Sequence, residues 1–333
     1  MRIVITGGLG YIGSHLLIEL LNKNYEVLVI DNLSNSKITI IDKIKKITNK
    51  DFSFFKADLK DLRNIKKILD NFRPDSVIHL AGLKSVEESI KNPKLYHRNN
   101  VIASNNLLNA MNAVSCRAII FMSSATVYGS PNYFPIDEYH SAKPINPYGF
   151  SKLKVEELIN TWTSSNSSNS SIIFRCFNPI GAHSSGFIGE DPISSPNNLL
   201  PIIAEVVSGK KEYVSIFGND YETQDGTAQR DYVDIQDITN AQILAIKYIN
   251  NSNKVNEIIN IGSGKGTSVI KFINTFERIC NKKINKKFQP RREGDISKSI
   301  ASNKKAYKIL NWRPKYNCEH SCKAFWHWRN SNK

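Results

Sequence analysis

Apolar positions in the first half of the chain fall into two kinds of run. Ile3-Val4-Ile5 is short and β-branched, which predicts a buried strand. From His15 to Leu21 the apolar residues recur at helical spacing. Val27-Leu28-Val29-Ile30 predicts a second strand. The alternation continues with a lysine-rich helix over 38–47 and a strand at 52–55. A helix over 61–72 follows, closed by Arg73-Pro74-Asp75. Val77-Ile78-His79-Leu80 reads as another strand, and 93–111 as one long helix with Leu107, Leu108 and Met111 on one face. A strand at 118–122, a helix over 148–162 and a strand at 172–175 complete the series. Residues 163–171 are nearly all Ser, Thr and Asn and predict a solvated loop.

Strands alternating with helices imply a parallel sheet covered on both faces. The glycines sharpen this. Gly7, Gly10 and Gly13 lie between the first strand and the first helix. Gly7 suits a tight turn, Gly10 a close backbone approach to a pyrophosphate, and Gly13 close helix–strand packing. The helix N-terminus offers unpaired N–H groups to the phosphates. Asp31 ends the second strand about 20 residues later, where an acid suits a ribose 2′-hydroxyl and repels a 2′-phosphate. NAD is therefore expected rather than NADP. The fold class is α/β, a Rossmann-type doubly wound parallel sheet with a smaller C-terminal α/β substrate domain. The expected division is 1–177 for the NAD-binding domain and 178–333 for the substrate domain. Strand-like runs at 230–233 and 258–261 suggest that part of the chain returns to the first domain.

Composition excludes some classes. No apolar run in the 333 residues reaches the ~18 that a membrane span needs. The chain opens directly on a strand, so no signal peptide is expected. Five cysteines at irregular spacing point to reduced thiols and the cytoplasm. Cys318, His320 and Cys322 are close in sequence but have no second ligand cluster, so a helix surface is expected and no metal. The formal charge is +15, yet the lysines are spread along the chain with abundant Asn and Ile. That argues against a nucleic-acid face and for a local role in holding an anionic substrate.

Tyr148 and Lys152 stand four apart, one helical turn, and share a face. A free phenol has a pKa near 10, too high for a base at neutral pH. A neighbouring ammonium and a nicotinamide cation favour the phenolate, which can take a proton from a sugar hydroxyl as hydride leaves the carbon. Lys152 can also bind the nicotinamide ribose. Ser124 ends a strand on the side where open parallel sheets bind ligands, and its hydroxyl can bridge substrate to Tyr148.

Thr6-Gly7-Gly8-Leu9-Gly10-Tyr11-Ile12-Gly13, Ser124-Ala125-Thr126 and the Tyr148/Lys152 pair resemble the extended short-chain dehydrogenase/reductase family. The resemblance continues through Asp31-Asn32-Leu33-Ser34-Asn35-Ser36, Ala81-Gly82-Leu83-Lys84 and Phe177-Asn178-Pro179. It extends to Pro196-Asn197-Asn198-Leu199, Ile216-Phe217-Gly218-Asn219-Asp220-Tyr221, Asp225-Gly226-Thr227 and Arg230-Asp231-Tyr232. Its last parts are Arg291-Arg292-Glu293-Gly294-Asp295 and Trp326-His327-Trp328. It implies 4-epimerisation of a UDP-sugar with retained NAD, through a 4-keto intermediate. It also implies a cofactor site of Tyr11, Ile12, Asp31, Asn32, Asn35, Ser36, Asp58, Leu59, Leu80, Ala81, Gly82, Leu83, Lys84, Asn99, Tyr148, Lys152 and Phe177. The implied nucleotide-sugar site is Ser124, Tyr148, Asn178, Asn198, Leu199, Ser215, Ile216, Phe217, Arg230, Arg292, Asp295 and Ser299. Two arginines suit a pyrophosphate, Phe217 a uracil face and Asp295 ribose hydroxyls.

Met122 and Cys176 depart from the residues common in relatives, at positions that carry no chemistry. A 4,6-dehydratase of the same fold is the nearest rival, but the resembling enzymes place an Asp-Glu pair after the hydroxyl residue. Here Ala125-Thr126 follow Ser124. A dinucleotide-sensing regulator is the other rival, and such proteins can dispense with the Tyr/Lys pair. The resemblance implies that Ser299 lines the sugar pocket, where a small residue goes with acceptance of N-acetylated sugars. It also implies a homodimer built on the helices near 93–111 and 148–162.

Overall fold

The computed structural model describes residues 1–331 apart from 194, 195, 197 and 293, so Asn197 and Glu293 of the motifs above lie outside the described residues. The β-branched runs become the strands β1 (Arg2–Thr6), β2 (Glu26–Asp31), β3 (Ser53–Lys56), β4 (Ser76–His79), β5 (Ala118–Ser124) and β6 (Ser170–Cys176). With the strand Asn256–Ile261 they make a seven-stranded sheet. Its order is 256–261, β6, β5, β4, β1, β2, β3. β1 pairs in parallel with β2 and with β4, β2 with β3, and β4 with β5. Strand order runs outward in both directions from β1. The crevice between β1 and β4 is therefore a topological switch point, where doubly wound sheets bind ligands. Ile3, Val4 and Ile5 are all fully buried, as a sheet covered on both faces requires.

The helices that cover the sheet are α1 (Tyr11–Asn22), α2 (Ile40–Thr48), α3 (Leu62–Phe72), α4 (Val86–Lys91), α5 (Pro93–Tyr96), α6 (Ala103–Ala113) and α7 (Pro147–Ser164). Local caps set several starts. Asp61 accepts a bond from the Asn64 N–H at 3.1 Å, and Asn146 one from the Gly149 N–H at 2.9 Å with Pro147 in the first turn. The single helix expected over 93–111 is instead broken by a π-helical turn, His97–Ile102, between α5 and α6. The wider turn serves Asn100, which is buried and bonds away from the helix. The expected solvated loop at 163–171 holds for its middle, where Ser165, Ser167 and Ser168 are exposed outside any helix or strand, and is corrected at its two ends. α7 runs to Ser164, β6 starts at Ser170, and Thr163, Asn169, Ser170 and Ser171 are buried. Thr163 donates to Ile159 O and meets the Ser171 hydroxyl, each at 2.8 Å, and Asn169 donates to Trp162 O at 2.7 Å. A polar composition suggested solvent; these groups find their partners inside.

The chain divides into two compact units. The first comprises 1–129, 141–175 and 239–259, the second 130–140, 176–238 and 260–333. The second unit introduces β7 (Asn178–Ile180), α8 (Leu199–Val207), β8 (Val214–Phe217) and β9 (Gln229–Asp234). α9 (Ile235–Asn250) leads into the sheet strand already described, β10 (Asn256–Ile261). Then come β11 (Gly266–Ser268), α10 (Val269–Cys280), β12 (Lys286–Gln289), β13 (Lys298–Ser299), α11 (Lys304–Leu310) and α12 (Cys318–Ser331). β9 pairs with β7 and β13 in parallel and with β11 antiparallel, and β8 pairs with β12 in parallel. Ile203, Val214, Ile216, Phe272, Phe276 and Phe325 form a core of their own. No described helix is long and apolar enough to cross a membrane.

Candidate functional site

The turn after β1 is forced by its glycines. Gly7 has φ +70°, and a Cβ there would stand 2.7 Å from Ala81 N. A Cβ on Gly13 would collide with the backbone of Gly7 and Gly8. Only glycine allows α1 to start so close to β1 and β4. Gly10 precedes α1 and, having no side chain, supplies no side-chain cap to its first turn, which carries Tyr11 and Ile12. Asp31 is buried at the end of β2 and ties the cradle together. It accepts from Leu9 N at 3.1 Å, Leu33 N at 2.9 Å and the Ser36 hydroxyl at 2.8 Å. Asn32 donates to Asp58 at 3.2 Å, and Lys60 N donates to Asp58 at 2.9 Å. Burial acts to raise Asp58, but the bonds from Lys60 and Asn32 hold its carboxyl below the usual range. Asn35 is half-buried in the same loop. Leu59 is buried, and its carbonyl accepts from Asn106 at 3.2 Å.

Beyond β4 the chain runs through Leu80, Ala81, Gly82, Leu83 and Lys84. Asn100 fixes this loop: its Oδ1 accepts from Leu83 N at 2.8 Å and its Nδ2 donates to Leu83 O at 3.0 Å. The same Nδ2 reaches the Ser151 hydroxyl at 2.9 Å, and Ser151 donates to Tyr148 O at 2.7 Å. Asn99, the residue expected here, donates from the π turn back to Leu95 O of α5 at 3.1 Å. His79, under the same loop, bonds Thr6 Oγ1 and Ser104 Oγ, each at 2.7 Å. Burial first and the Lys152 charge second push its imidazole down to about 3, so it is neutral.

Tyr148 and Lys152 are both buried on α7. Lys152 Nζ donates to Met122 O at 2.9 Å and lies 4.7 Å from the centre of the Phe121 ring. The Tyr148 ring meets Tyr96 edge-on, 6.3 Å between centroids. Tyr96 donates to Glu88 at 2.9 Å; burial, then Glu88, push its phenol well up. It therefore stays protonated beside Tyr148. Ser124 ends β5, and its hydroxyl oxygen accepts from Thr126 N at 3.3 Å and Thr126 Oγ1 at 3.0 Å.

In the second unit, Arg230, Arg292 and Asp295 form one charged cluster. Asp295 lies 3.5 Å from the Arg230 guanidinium and 2.9 Å from Arg292 Nε. Arg230 also donates to Ile296 O at 2.8 Å. The Arg292 guanidinium sits 4.4 Å over the Phe217 ring. On β8 Ile216 is buried, while Ser215 and Phe217, on the other face, are half-buried. Ser299 is buried on β13, in register with Arg230 across β9, rather than in a solvent loop. Asn178 donates to Asp231 O at 3.0 Å; Asn198, just before Leu199 and α8, donates to Glu190 at 2.6 Å. Phe177 is buried and its N–H bonds Ile261 O at 2.9 Å. The His320 ring stacks on Tyr316, and among the described residues no group of three or more His, Cys, Asp or Glu is placed to hold a metal ion.

The family model described as GDP-mannose 4,6 dehydratase matches residues 4–325. A UDP-glucose 4-epimerase of Bacillus subtilis (strain 168) is 42% identical over 332 residues, which is 100% of this chain and 98% of that protein. The chain belongs to this family, of the extended short-chain dehydrogenase/reductase type. Among solved structures, the UDP-glucose 4-epimerase of Stenotrophomonas maltophila, with bound NAD and formylated UDP-arabinopyranose, superposes with a TM-score of 0.96. It is 37% identical, covering 100% of this chain and 98% of that one. A UDP-Glc/GlcNAc 4-epimerase of Campylobacter jejuni superposes with a TM-score of 0.86 at 33% identity, covering 99% of both chains.

Two residues that organise this geometry escape a sequence reading. Asn100 and Glu156 carry no motif signal. Their partners stand 17 to 51 and 19 to 33 positions away, and only the fold brings them together.

Proposed function

We propose that this chain is an NAD-dependent 4-epimerase that interconverts UDP-glucose and UDP-galactose, and UDP-N-acetylglucosamine and UDP-N-acetylgalactosamine. The observation that carries the reading is the buried Tyr148–Lys152 pair, with Lys152 anchored on Met122 O, in a chain of this family. The cradle fits a dinucleotide. Gly7 has no room for a Cβ, the start of α1 has no side-chain cap, and Asp31 braces the turn with a carboxylate that disfavours a 2′-phosphate. The amides at Tyr11 and Ile12 hold the pyrophosphate, Asp31 the adenosine ribose, and the 80–84 loop with Lys152 the nicotinamide end. Bound NAD supplies a reversible hydride acceptor and donor at the sugar C4.

The residues of the chain handle the proton. Lys152 places a positive charge one turn from Tyr148 and favours its phenolate. Tyr148 takes the C4 hydroxyl proton as the 4-keto sugar forms. After the sugar presents its other face, Tyr148 returns that proton to the new hydroxyl. Ser124 donates to the C4 oxygen and keeps it in line with Tyr148. Arg230 and Arg292 hold the pyrophosphate of the UDP-sugar, Phe217 stacks on the uracil and Asp295 takes ribose hydroxyls. A 4,6-dehydratase needs an acid and a base to eliminate water. Ala125-Thr126 follow Ser124 here, and they supply neither.

Ser299 sets the sugar range. Its side chain is small and buried, and a tyrosine ring in its place would take the space that an acetamido group needs. The assembly is a homodimer. Val86, Ile90, Leu95, Ile102 and Phe150 on the first unit's helical face are all exposed, and a second copy covers them. Five free cysteines fit the reducing cytoplasm. Purified protein mixed with UDP-galactose yields UDP-glucose without added reductant; no conversion of either UDP-sugar pair would refute the reading.

A further inference from the structure

Tyr148, Lys152 and Glu156 lie at successive helical turns on one stripe of α7. The first two belong to the proposed chemistry; Glu156 is more deeply buried than either, at 1% exposure. Its carboxylate accepts from the Ser123 hydroxyl at 2.5 Å and from Arg175 on β6 at 2.7 and 3.2 Å. The Arg175 guanidinium lies 4.7 Å over the Tyr128 ring. Burial alone would lower the Arg175 guanidinium, but its bonds to Glu156 hold it above its ordinary value. Three consecutive residues of β5 are thus fixed. Met122 O takes Lys152, Ser123 is held by Glu156, and Ser124 presents its hydroxyl beside Thr126.

We propose that Glu156 and Arg175 are positioning residues for epimerisation: the pair clamps the β5 end that carries Met122 and Ser124 against α7. It also keeps a buried carboxylate from opposing Lys152 at Tyr148. The proposal rests on the reading of Tyr148 as proton acceptor. Of the other titratable groups on elements packed against this stripe, Glu87 and Lys91 of α4 form an exposed ion pair at 2.6 Å, and Lys94 of α5 is exposed. His79 is neutral. Tyr96 is bound to Glu88, and Tyr128 covers Arg175. His97 and Arg98 of the π turn are exposed. Glu156 is the fully buried carboxylate among them, and its neutralisation is local, by Arg175.

The test uses the pH profile of kcat/KM for UDP-galactose. Glu156→Gln keeps the shape and removes the negative charge, leaving the Arg175 charge unbalanced behind Lys152. The acid limb of the profile is expected to move to lower pH by about 0.5–1 unit, because added positive charge favours the phenolate. The double variant Glu156→Gln/Arg175→Met removes both charges and is expected to return the limb to its original position. Ser123→Ala, which breaks the clamp without changing charge, is expected to lower kcat several-fold with the limb unmoved. A purely architectural pair predicts lower activity at every pH with the limb fixed in all variants, and that result overturns the proposal. So does a limb that stays displaced in the double variant. If Glu156→Gln alone does not fold, Arg175→Met is read in its place: it leaves the Glu156 charge unbalanced and is expected to move the limb to higher pH, and an unmoved limb overturns the proposal. Tyr148→Phe separates the two readings. Full turnover in that variant refutes the role of Tyr148 itself. An inactive Tyr148→Phe with unmoved limbs elsewhere refutes only the pair.

Discussion

Tyr148→Phe keeps the ring and removes the group that exchanges the proton. Epimerisation is expected to fall by at least ~10²-fold while the protein stays folded and loaded with NAD. Steady-state rates together with the bound-nucleotide content check this, and near-normal turnover contradicts it. Ser299→Tyr is expected to abolish conversion of the N-acetylated pair and spare the plain pair, because overpacking a buried site costs ~1–3 kcal/mol or more. Both pairs run on both proteins decide it. His79 gives a prediction with a definite sign. Its folded pKa of about 3 lies below the ordinary 6.5, so the native state refuses a proton that the unfolded chain accepts. Its contribution is complete above pH 6.5 and is lost as pH falls toward 3. Between pH 7.5 and 5 the protein is expected to lose ~2 kcal/mol more stability than His79→Gln, read from urea midpoints. Equal losses would show that His79 is not the acid-labile group. Residues such as Gly7, Asp31, Tyr148 and Lys152 were legible in the sequence because their spacing is their signal. Asn100 was not. Its side chain works on Leu83 and Ser151, and nothing local distinguishes it from Asn99.

At the scale of elements, the strands of the first sheet were legible because parallel strands buried on both faces read as unbroken apolar runs. Two segments were not. The π turn His97–Ile102 interrupts what periodicity reads as one helix, since a single wide turn barely shifts the apolar spacing. The Ser/Thr/Asn stretch at 163–171 reads as solvated throughout, and its middle is; at its ends Thr163, Asn169 and Ser171 are buried and satisfied by Ile159, Trp162 and one another. The π turn is worth testing through Asn100. Asn100→Ala removes the partner of the half-buried Leu83 N–H and C=O, and each such hydrogen bond contributes about 0.5–1.5 kcal/mol. The 80–84 loop is then expected to loosen and the purified variant to carry less NAD. Nucleotide released on denaturation measures this, and full occupancy with an unchanged melting temperature contradicts it.

For the whole molecule, the sequence pattern separated a regular α/β half from a looser second half. It also marked the run at 258–261, which joins the seven-stranded sheet as part of β10. It did not reveal that residues 130–140 belong to the second unit, because a short irregular segment has no periodicity to follow. Of the residues behind the +15 charge, only Arg230 and Arg292 have a role in the proposed substrate site, and both also meet Asp295. The exposed apolar residues Ile90 and Phe150 predict a dimer by light scattering at micromolar concentration. Ile90→Asp/Phe150→Asp is expected to be monomeric; a monomeric parent protein refutes the dimer. In the proposed reaction hydrogen leaves C4 and returns to the same carbon within one site. UDP-galactose carrying deuterium at C4 tests it most directly. The expected product is UDP-glucose that retains the deuterium at C4, with no added cofactor consumed. Deuterium lost to solvent, or a 4-keto-6-deoxy product, would contradict it.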